Sequence, residues 1–517
     1  MINGVVELSS PLPHHLGMTT LSTKHLILAD DDPRSREELE KLAVENLQLI
    51  IYQTNEELLK RWLPIVSSAL NAGKMGETLI LGYLKYAQGK HDELRATLRL
   101  LEATDSNERL REVISFESQL LRMRYEFNFG NFEKVREIYS NLPNIKTYPF
   151  TRNNDQHFSR HRGNLVSAFY LQDKAEFSKH YKNLENLVES EFGSISHIAS
   201  TSFKSMRAFL NGSYLEANDY ALAACKLAND LNVNGAYTPF EAAYVLADTY
   251  LEFGDDKNSE ETVNKYLAVA EKFNQYPWIT AFYAKAALIK LQEGNINAAL
   301  SLIRKGREAV DGPLFDPILS FHLDYHELLI RLPLGDMERI GEIIHRLPDL
   351  ELVKSFKMML ELYQNPSSAV NVLNLMPNET DQDKFRRASL QALLNVQNRP
   401  EAIKQLNIAI ELAIPNGYFR AFLNMPPEVK NLILDIATEK STVYLEKLAK
   451  AIRAQSSVSQ SAIKNSDAPL TKRELEILRR LATKEPITKI ASALHISNNT
   501  IKTHLKNVYR KLNVESR

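Results

Sequence analysis

Seven turn-forming residues, Gly89, Gly130, Gln172, Gly212, Gly254, Gly294 and Gly335, recur every 40–42 residues along this chain. Each lies between two stretches with apolar residues at helical spacing, and several are followed by similar sequence: Gly89-Lys90-His91-Asp92-Glu93-Leu94, Gly130-Asn131-Phe132-Glu133-Lys134-Val135, Gly294-Asn295-Ile296-Asn297-Ala298-Ala299 and Gly335-Asp336-Met337-Glu338-Arg339-Ile340. A repeat of this length holds one helical hairpin, which buries its apolar faces only by stacking on its neighbours. One such hairpin runs as a helix from Trp278 to Leu291, packing through Ala281, Ala284, Leu288 and Leu291, and a second from Ile296 to Val310, packing through Ile296, Leu300, Ile303 and Val310. After Gly335 the period shortens, with turns expected at Asn365-Pro366 and Arg399-Pro400 and hairpins nearer 34 residues. No sustained alternation calls for a sheet, so the expected fold is all-α, an α-solenoid of helical hairpins over residues 21–453.

The end of the chain has a different character. Residues 470–517 hold eleven Lys and Arg against four Glu, a net charge of +7 in a chain whose total is −1. A basic block on an acidic body is the electrostatic footprint of a nucleic-acid reader. Thr471 and Glu474 form a capping box with Leu470 and Leu475 as its hydrophobic staple, so a helix is expected to start at Lys472. Ile490, Ala491 and Leu494 give a short helix one apolar stripe, and Ser497, between Ile496 and Ile501, caps a third. On that last helix Ile501, Leu505, Val508 and Leu512 share one face, while Lys502, Thr503, Lys506 and Arg510 share the other. A helix with an apolar back and a basic front suits the DNA major groove.

This segment resembles the LuxR-type helix-turn-helix of bacterial transcription regulators at Leu470-Thr471, Arg473-Glu474, Ile477-Leu478, Leu481-Ala482, Ile490-Ala491, Leu494, Ile496-Ser497, Thr500-Ile501-Lys502, His504-Leu505, Val508, Lys511-Leu512 and Val514. The resemblance implies that Lys502, Thr503 and Lys506 face base edges in the major groove, while Thr500, His504 and Lys511 touch the DNA backbone. The chain departs from the pattern at Lys484, Pro486, Ile487 and Lys489, where the family usually carries Gly, Ser, Asn and Glu. Pro486 still fits the first turn of a helix, where its missing N–H has no partner to lose. The family ordinarily continues past the position of Arg517 into a fourth short helix that covers the core and, in some members, contributes to dimerisation. The expectation is therefore either a sequence cut short or a less fully packed recognition unit.

The hairpins resemble tetratricopeptide-like repeats, and their pairing with this C-terminal unit resembles the large MalT-like regulators. The segments Leu58 to Pro64, ahead of the array, and Ala409 to Phe422, like the family's closing repeat, agree with that resemblance. Those regulators usually carry an N-terminal nucleotide-binding domain. No GxxxxGK[ST] occurs here; Gly73-Lys74-Met75 lacks both the upstream Gly and the hydroxyl after Lys. Neither ATP gating nor any other cofactor is expected.

The lone cysteine, Cys225, sits in an apolar run and reads as a small core residue in a reducing compartment. With no apolar run long enough to span a membrane and no signal-like N-terminus, a cytoplasmic protein is expected. Residues 1–20 are expected to be disordered and the Ser-rich stretch 454–469 to be the linker to the DNA-binding unit at 470–517. His322 and His326 have the spacing of a metal pair but no third ligand, so a surface or packing role is expected. Leu26 to Asp32 resembles the first strand and acid cluster of a receiver domain, but no later strand ending in Asp follows. No catalytic constellation stands out, and an enzyme is not expected. These features together describe a sensor-regulator: a helical array that meets an effector or protein partner, coupled to a unit that reads double-stranded DNA, with homodimerisation open. The alternative is an interaction scaffold whose DNA-binding unit is degenerate.

Overall fold

Every periodic residue takes up a left-handed backbone conformation in the computed structural model of the chain, with φ between 56° at Gln172 and 84° at Gly130. Their hydrogen bonds share one pattern. The Gly89 N–H donates to the Tyr86 carbonyl and the Lys90 N–H to that of Lys85; the same pair of bonds recurs at Gly130, Gln172, Gly212, Gly294 and Gly335. This is the Schellman closure, which satisfies the last carbonyls of a helix and favours glycine because only glycine enters that region without steric cost. The residue after the closure starts the next helix. Asp173, Asp255, Asn295 and Asp336 each accept, through the side chain, the N–H three residues on. One short turn thus ends one helix and caps another.

The structure describes residues 33–45, 56–70, 73–103, 108–143, 153–185, 194–233, 235–365 and 368–466, together with positions 473, 477, 478, 480, 487–494, 496, 500–502, 504, 505 and 508. No strand occurs among them. The expected disordered N-terminus at 1–20 and the receiver-like segment Leu26 to Asp32 lie outside the described residues. Helix α1 spans Arg36–Glu45 and α2, which contains Pro64 and the buried Trp62, spans Glu56–Leu70. Seven hairpins follow among the described residues, paired as α3 Gly73–Ala87 with α4 His91–Ala103, α5 Glu108–Asn128 with α6 Phe132–Asn141, α7 Asn153–Tyr170 with α8 Lys174–Tyr181, and α9 Ser194–Leu210 with α10 Tyr214–Asp230. The remaining three are α11 Phe240–Glu252 with α12 Asp256–Lys272, α13 Tyr276–Gln292 with α14 Ile296–Glu308, and α15 Phe321–Arg331 with α16 Met337–Arg346. This is the all-α solenoid of tetratricopeptide-like hairpins that the period predicts. The helices form two compact units: Met1–Leu251, Asp255–Ile289 and Leu302–Tyr363 in the first, and Glu252–Gly254, Lys290–Ser301 and Gln364–Arg517 in the second.

Alanines on α10 and α11, among them Ala217, Ala221, Ala224, Ala242, Ala243 and Ala247, are fully buried in the first unit and let neighbouring helices approach closely. Cys225 lies in this stripe, and burial pushes its thiol up to about 11, as an inert core residue requires. Large aromatics fill the spaces between hairpins: Phe169, Phe203, Phe240, Phe282 and Phe321 are all fully buried. Each stabilises the fold by roughly 1.5–3 kcal/mol relative to exposure. Helix α13 is buried on most of its faces, so Trp278, Ile279, Phe282 and Ile289 join Ala281 and Ala284 in the core. On α14 the innermost positions are Ala299, Ile303 and Gly306, with Ile296 and Leu300 half-buried, and Val310, also half-buried, lies in the turn beyond the helix end. The expected stripe is thus rotated slightly.

Solenoid repeats ordinarily touch only their neighbours. In the first unit the early hairpins also meet a stretch of chain more than 180 residues later. The Asn274 side-chain amide donates to the Gly89 carbonyl at 3.1 Å, and Nε2 of His91 lies 2.9 Å from the Asn274 carbonyl. Asn128 donates to that same carbonyl at 2.9 Å and accepts from the Tyr276 N–H at 3.2 Å. The Asp316 N–H donates to the Phe129 carbonyl at 2.9 Å, and the rings of Phe129, Tyr276 and Phe315 pack with centroids 4.7–5.6 Å apart. The backbone approach is so close that a Cβ on Gly89 would lie 2.3 Å from the Phe273 carbonyl oxygen. The first unit closes on itself.

His322 and His326 are both buried, so theirs is the packing role. The His322 ring packs edge-on against Tyr170 at 4.5 Å, and His326 Nδ1–H donates to the His322 carbonyl at 2.8 Å. Lys285, also buried, pairs with Asp248 at 2.5 Å. Burial, reinforced by the Lys285 charge, lowers His322 to about 3 and His326 well below the ordinary histidine value. No group of three or more potential metal ligands occurs among the described residues.

The second unit contains α17's last residue, Gln364, and then α18 Ala369–Leu375, α19 Asp381–Leu394, α20 Arg399–Asn416, α21 Arg420–Leu423, α22 Pro427–Glu439 and α23 Val443–Ser466; α17 itself spans Glu351–Gln364. Thr380 and Asp383 form a capping box at the start of α19. Arg399 and Pro400 fall in the first turn of α20 rather than in the expected turn, which lies at 395–398. Proline is tolerated there for want of an N–H to satisfy. The Ala409 to Phe422 segment turns at Gly417, in left-handed conformation, and buries Tyr418 and Phe422 against Phe385 with ring centroids 4.7 and 5.4 Å away. Within the stretch 454–469 expected as the linker, α23 carries helical backbone through Ser466, continuing from the buried stripe Leu445, Leu448, Ala449 and Ile452 at its start, and 467–469 lie outside the described residues.

Candidate DNA-binding interface

Among the described residues of the C-terminal segment, the apolar positions converge. Ile477, Ile490, Ala491, Leu494, Ile501 and Leu505 form one buried cluster, with Ile496 packed against it, and Val508 is buried as well. Positions 473, 477, 478 and 480 are helical, Ile487–Ala493 is a helix, and positions 500–502, 504, 505 and 508 are helical again. The middle helix ends with the Leu494 N–H on the Ile490 carbonyl and the Ile496 N–H on the Ala491 carbonyl, both at 3.0 Å. Helix, turn and helix therefore share one small core.

The last helix is oriented by its own stripe. Burial of Ile501, Leu505 and Val508 turns Thr500 and Lys502 outward, where both are exposed, and leaves His504 half-buried at the margin. Thr503, Lys506 and Lys511 lie outside the described residues, as do the Thr471–Glu474 capping box, the Ser497 cap, Leu512, and Lys484 and Pro486. Of the two other departures, Ile487 and Lys489 are exposed on the middle helix, so neither breaks the core. One contact escapes a reading of hydrophobic periodicity: the Arg473 guanidinium donates to the Leu494 carbonyl, tying the first helix to the end of the second. Its only sequence signal is the match of Arg473-Glu474 to the family pattern.

Among the described residues, a three-part helical core that holds Thr500 and Lys502 outward on its last helix defines a helix-turn-helix unit. Residues 468–517 match the family described as "Bacterial regulatory proteins, luxR family". The chain is similar to the nitrate/nitrite response regulator protein NarP of Escherichia coli (strain K12), 28% identical over 183 residues that make up 35% of this chain and 76% of that protein. It is also similar to a nitrate/nitrite response regulator protein homolog of Haemophilus influenzae, 40% identical over 90 residues, 16% of this chain and 42% of that protein. Among solved structures, Rap protein complexed with competence and sporulation factor aligns with 71% of this chain and 99% of its own at a TM-score of 0.42 and 13% identity, a likeness too loose to bear on fold or ligand. The chain is a DNA-binding transcription regulator with a LuxR-type helix-turn-helix and a helical-repeat domain. No described helix is long and apolar enough to cross a membrane.

Proposed function

We propose that this chain reads promoter DNA in the major groove through Lys502, Thr503 and Lys506, with Thr500, His504 and Lys511 on the phosphate backbone, under the control of an effector or protein partner that meets the helical array. The observation that carries the reading is the orientation of the last helix. With Ile501, Leu505 and Val508 buried, Lys502 is held outward on a segment whose net charge is +7. In this division of labour residues 21–453 sense, 454–469 connect and 470–517 bind DNA. The chain works by binding rather than by catalysis, in the cytoplasm, and a second copy of the chain accompanies it on DNA.

Gel-shift titrations of the full chain against genomic fragments at two salt concentrations test the reading. Affinity should fall steeply with salt, because each neutralised phosphate releases counterions. Lys506→Ala should weaken specific binding by about 1–3 kcal/mol, the scale of a base contact. Cys225→Ala, in the buried array core, should leave it unchanged. Equal loss from both variants would contradict the helix assignment, and absence of salt-sensitive binding would leave the interaction scaffold as the function.

A further inference from the structure

The middle helix of the C-terminal unit, Ile487–Ala493, has the sequence ITKIASA, in which Lys489 is the one ionisable side chain. The LuxR-type pattern usually carries Glu at this position. Lys in its place shifts the charge of residues 470–517 by two, a large share of their net +7.

The core fixes which way this helix is turned. Ile490, Ala491 and Leu494 are buried in it, and Arg473 of the first helix donates to the Leu494 carbonyl at the far end. Lys489, Ser492 and Ala493, at positions i, i+3 and i+4, are exposed together on another side. Lys489 thus stands clear of the core with two small side chains beside it, a surface that the backbone of another molecule can approach closely.

In a helix-turn-helix the helix after the turn enters the major groove, while the helix before it crosses the phosphate backbone. The exposed Thr500 and Lys502 belong to the first of these helices, and Lys489 is the charge carried by the second. An ammonium on a flexible four-carbon stem is a compact point charge that suits a phosphate oxygen without requiring a fixed planar geometry. Such a contact sets affinity and register rather than reading sequence.

We infer that Lys489 is a phosphate contact made by the crossing helix of this chain, supplying sequence-independent affinity that a Glu in the same place would oppose. The inference rests on the reading of residues 470–517 as the DNA-binding unit. A phosphate neutralised by Lys489 releases its counterion, so this one side chain accounts for about one unit of the slope of log affinity against log salt.

Binding of the full-length protein to a genomic fragment that it retains and to a random-sequence duplex is measured by gel shift over a series of salt concentrations. Lys489→Ala should weaken both complexes by the same factor and lower the salt slope by about one. Lys489→Glu, which restores the charge the pattern usually carries, should lower it further. Lys489→Gln keeps most of the stem and serves if the alanine variant fails to fold. Lys257→Ala removes an exposed lysine of α12 and should leave both complexes unchanged. Salt slopes unaltered in the Lys489 variants, or a loss confined to the genomic fragment, would overturn the phosphate assignment. If Lys502→Ala lowers the slope in that same experiment, the DNA-binding reading stands without it. A wild-type protein whose binding shows no salt dependence overturns both.

Discussion

The first unit and the C-terminal helix-turn-helix are both helical, yet they are held together on different scales. In the first unit, hairpins stack on neighbours and then close through side chains and carbonyls some 183–185 residues apart in sequence. Its interior also accommodates polar groups. Asp324 and Glu327 on α15 are buried and receive Arg307, Arg331, Arg339 and Arg346. The described core of the DNA-binding segment is a single cluster of six buried apolar residues, with Val508 buried as well and one arginine bond across it. A unit that small has little stability to lose, because a short chain buries a smaller share of its surface. The contrast teaches that shape in the array is determined many times over, while in the reader each side chain is a large fraction of the whole.

Acid should separate the two regions most. His322 and His326 have folded-state values pushed far below the unfolded one by burial, so the unfolded chain takes up protons first as pH falls. The stability that their neutral burial allows is complete above about pH 6.5 and declines below it, by up to about 1.4 kcal/mol per pH unit for each histidine. Glu117, raised to about 6 by burial, acts in the opposite sense and offsets part of the slope between its unfolded value and 6. Urea titrations of the full chain from pH 7 to pH 4 should show the array transition moving steeply to lower denaturant, and His322→Phe should remove about one histidine's share. A slope unchanged by that substitution would detach the acid response from this cluster.

Closure is tested by two substitutions in identical turns. Gly89→Ala places a methyl 2.3 Å from the Phe273 carbonyl at a φ of +71°, and should cost about 3 kcal/mol or more through clash and strain together. Gly335→Ala meets nothing within 4 Å at a φ of +65°, and should cost only about 1–2 kcal/mol. Equal costs in denaturant unfolding would mean that the first unit is an open stack. A smaller effect belongs to the reader. Arg473→Met removes the bond to the Leu494 carbonyl and should destabilise the C-terminal unit by about 1–2 kcal/mol, seen as faster amide exchange in that segment with none in the array. Smallest in stability is Lys502→Ala, which should leave unfolding unchanged while lowering the salt slope of DNA binding by about one.

Much of this was legible in the sequence wherever the determinant is local. A left-handed helix end asks for glycine, and a capped start asks for Asp or Asn, so the hairpin turns stand out at their period. Ile490, Ala491, Leu494, Ile501, Leu505 and Val508 are the core of the DNA-binding unit because helical spacing alone brings them to one side. Asn232 and Asn274, which take left-handed conformations between hairpins, escaped notice because asparagine is equally at home in ordinary loops. The closure escaped because nothing near Gly89 in sequence announces Asn274. The paired Arg162 and Glu241 come from different hairpins, and no spacing rule pairs positions 79 residues apart.

The contact between Asn274 and Gly89 also bears on how such a chain can change over evolutionary time. Open repeat arrays lengthen and shorten by copying or losing a unit, since every internal unit has equivalent neighbours. Here the carbonyl of one specific residue must arrive opposite one specific turn, so a duplicated or deleted hairpin between them would carry that partner past its place. The first unit must count its repeats, and its lineage is expected to vary in the sequence of the hairpins while conserving their number.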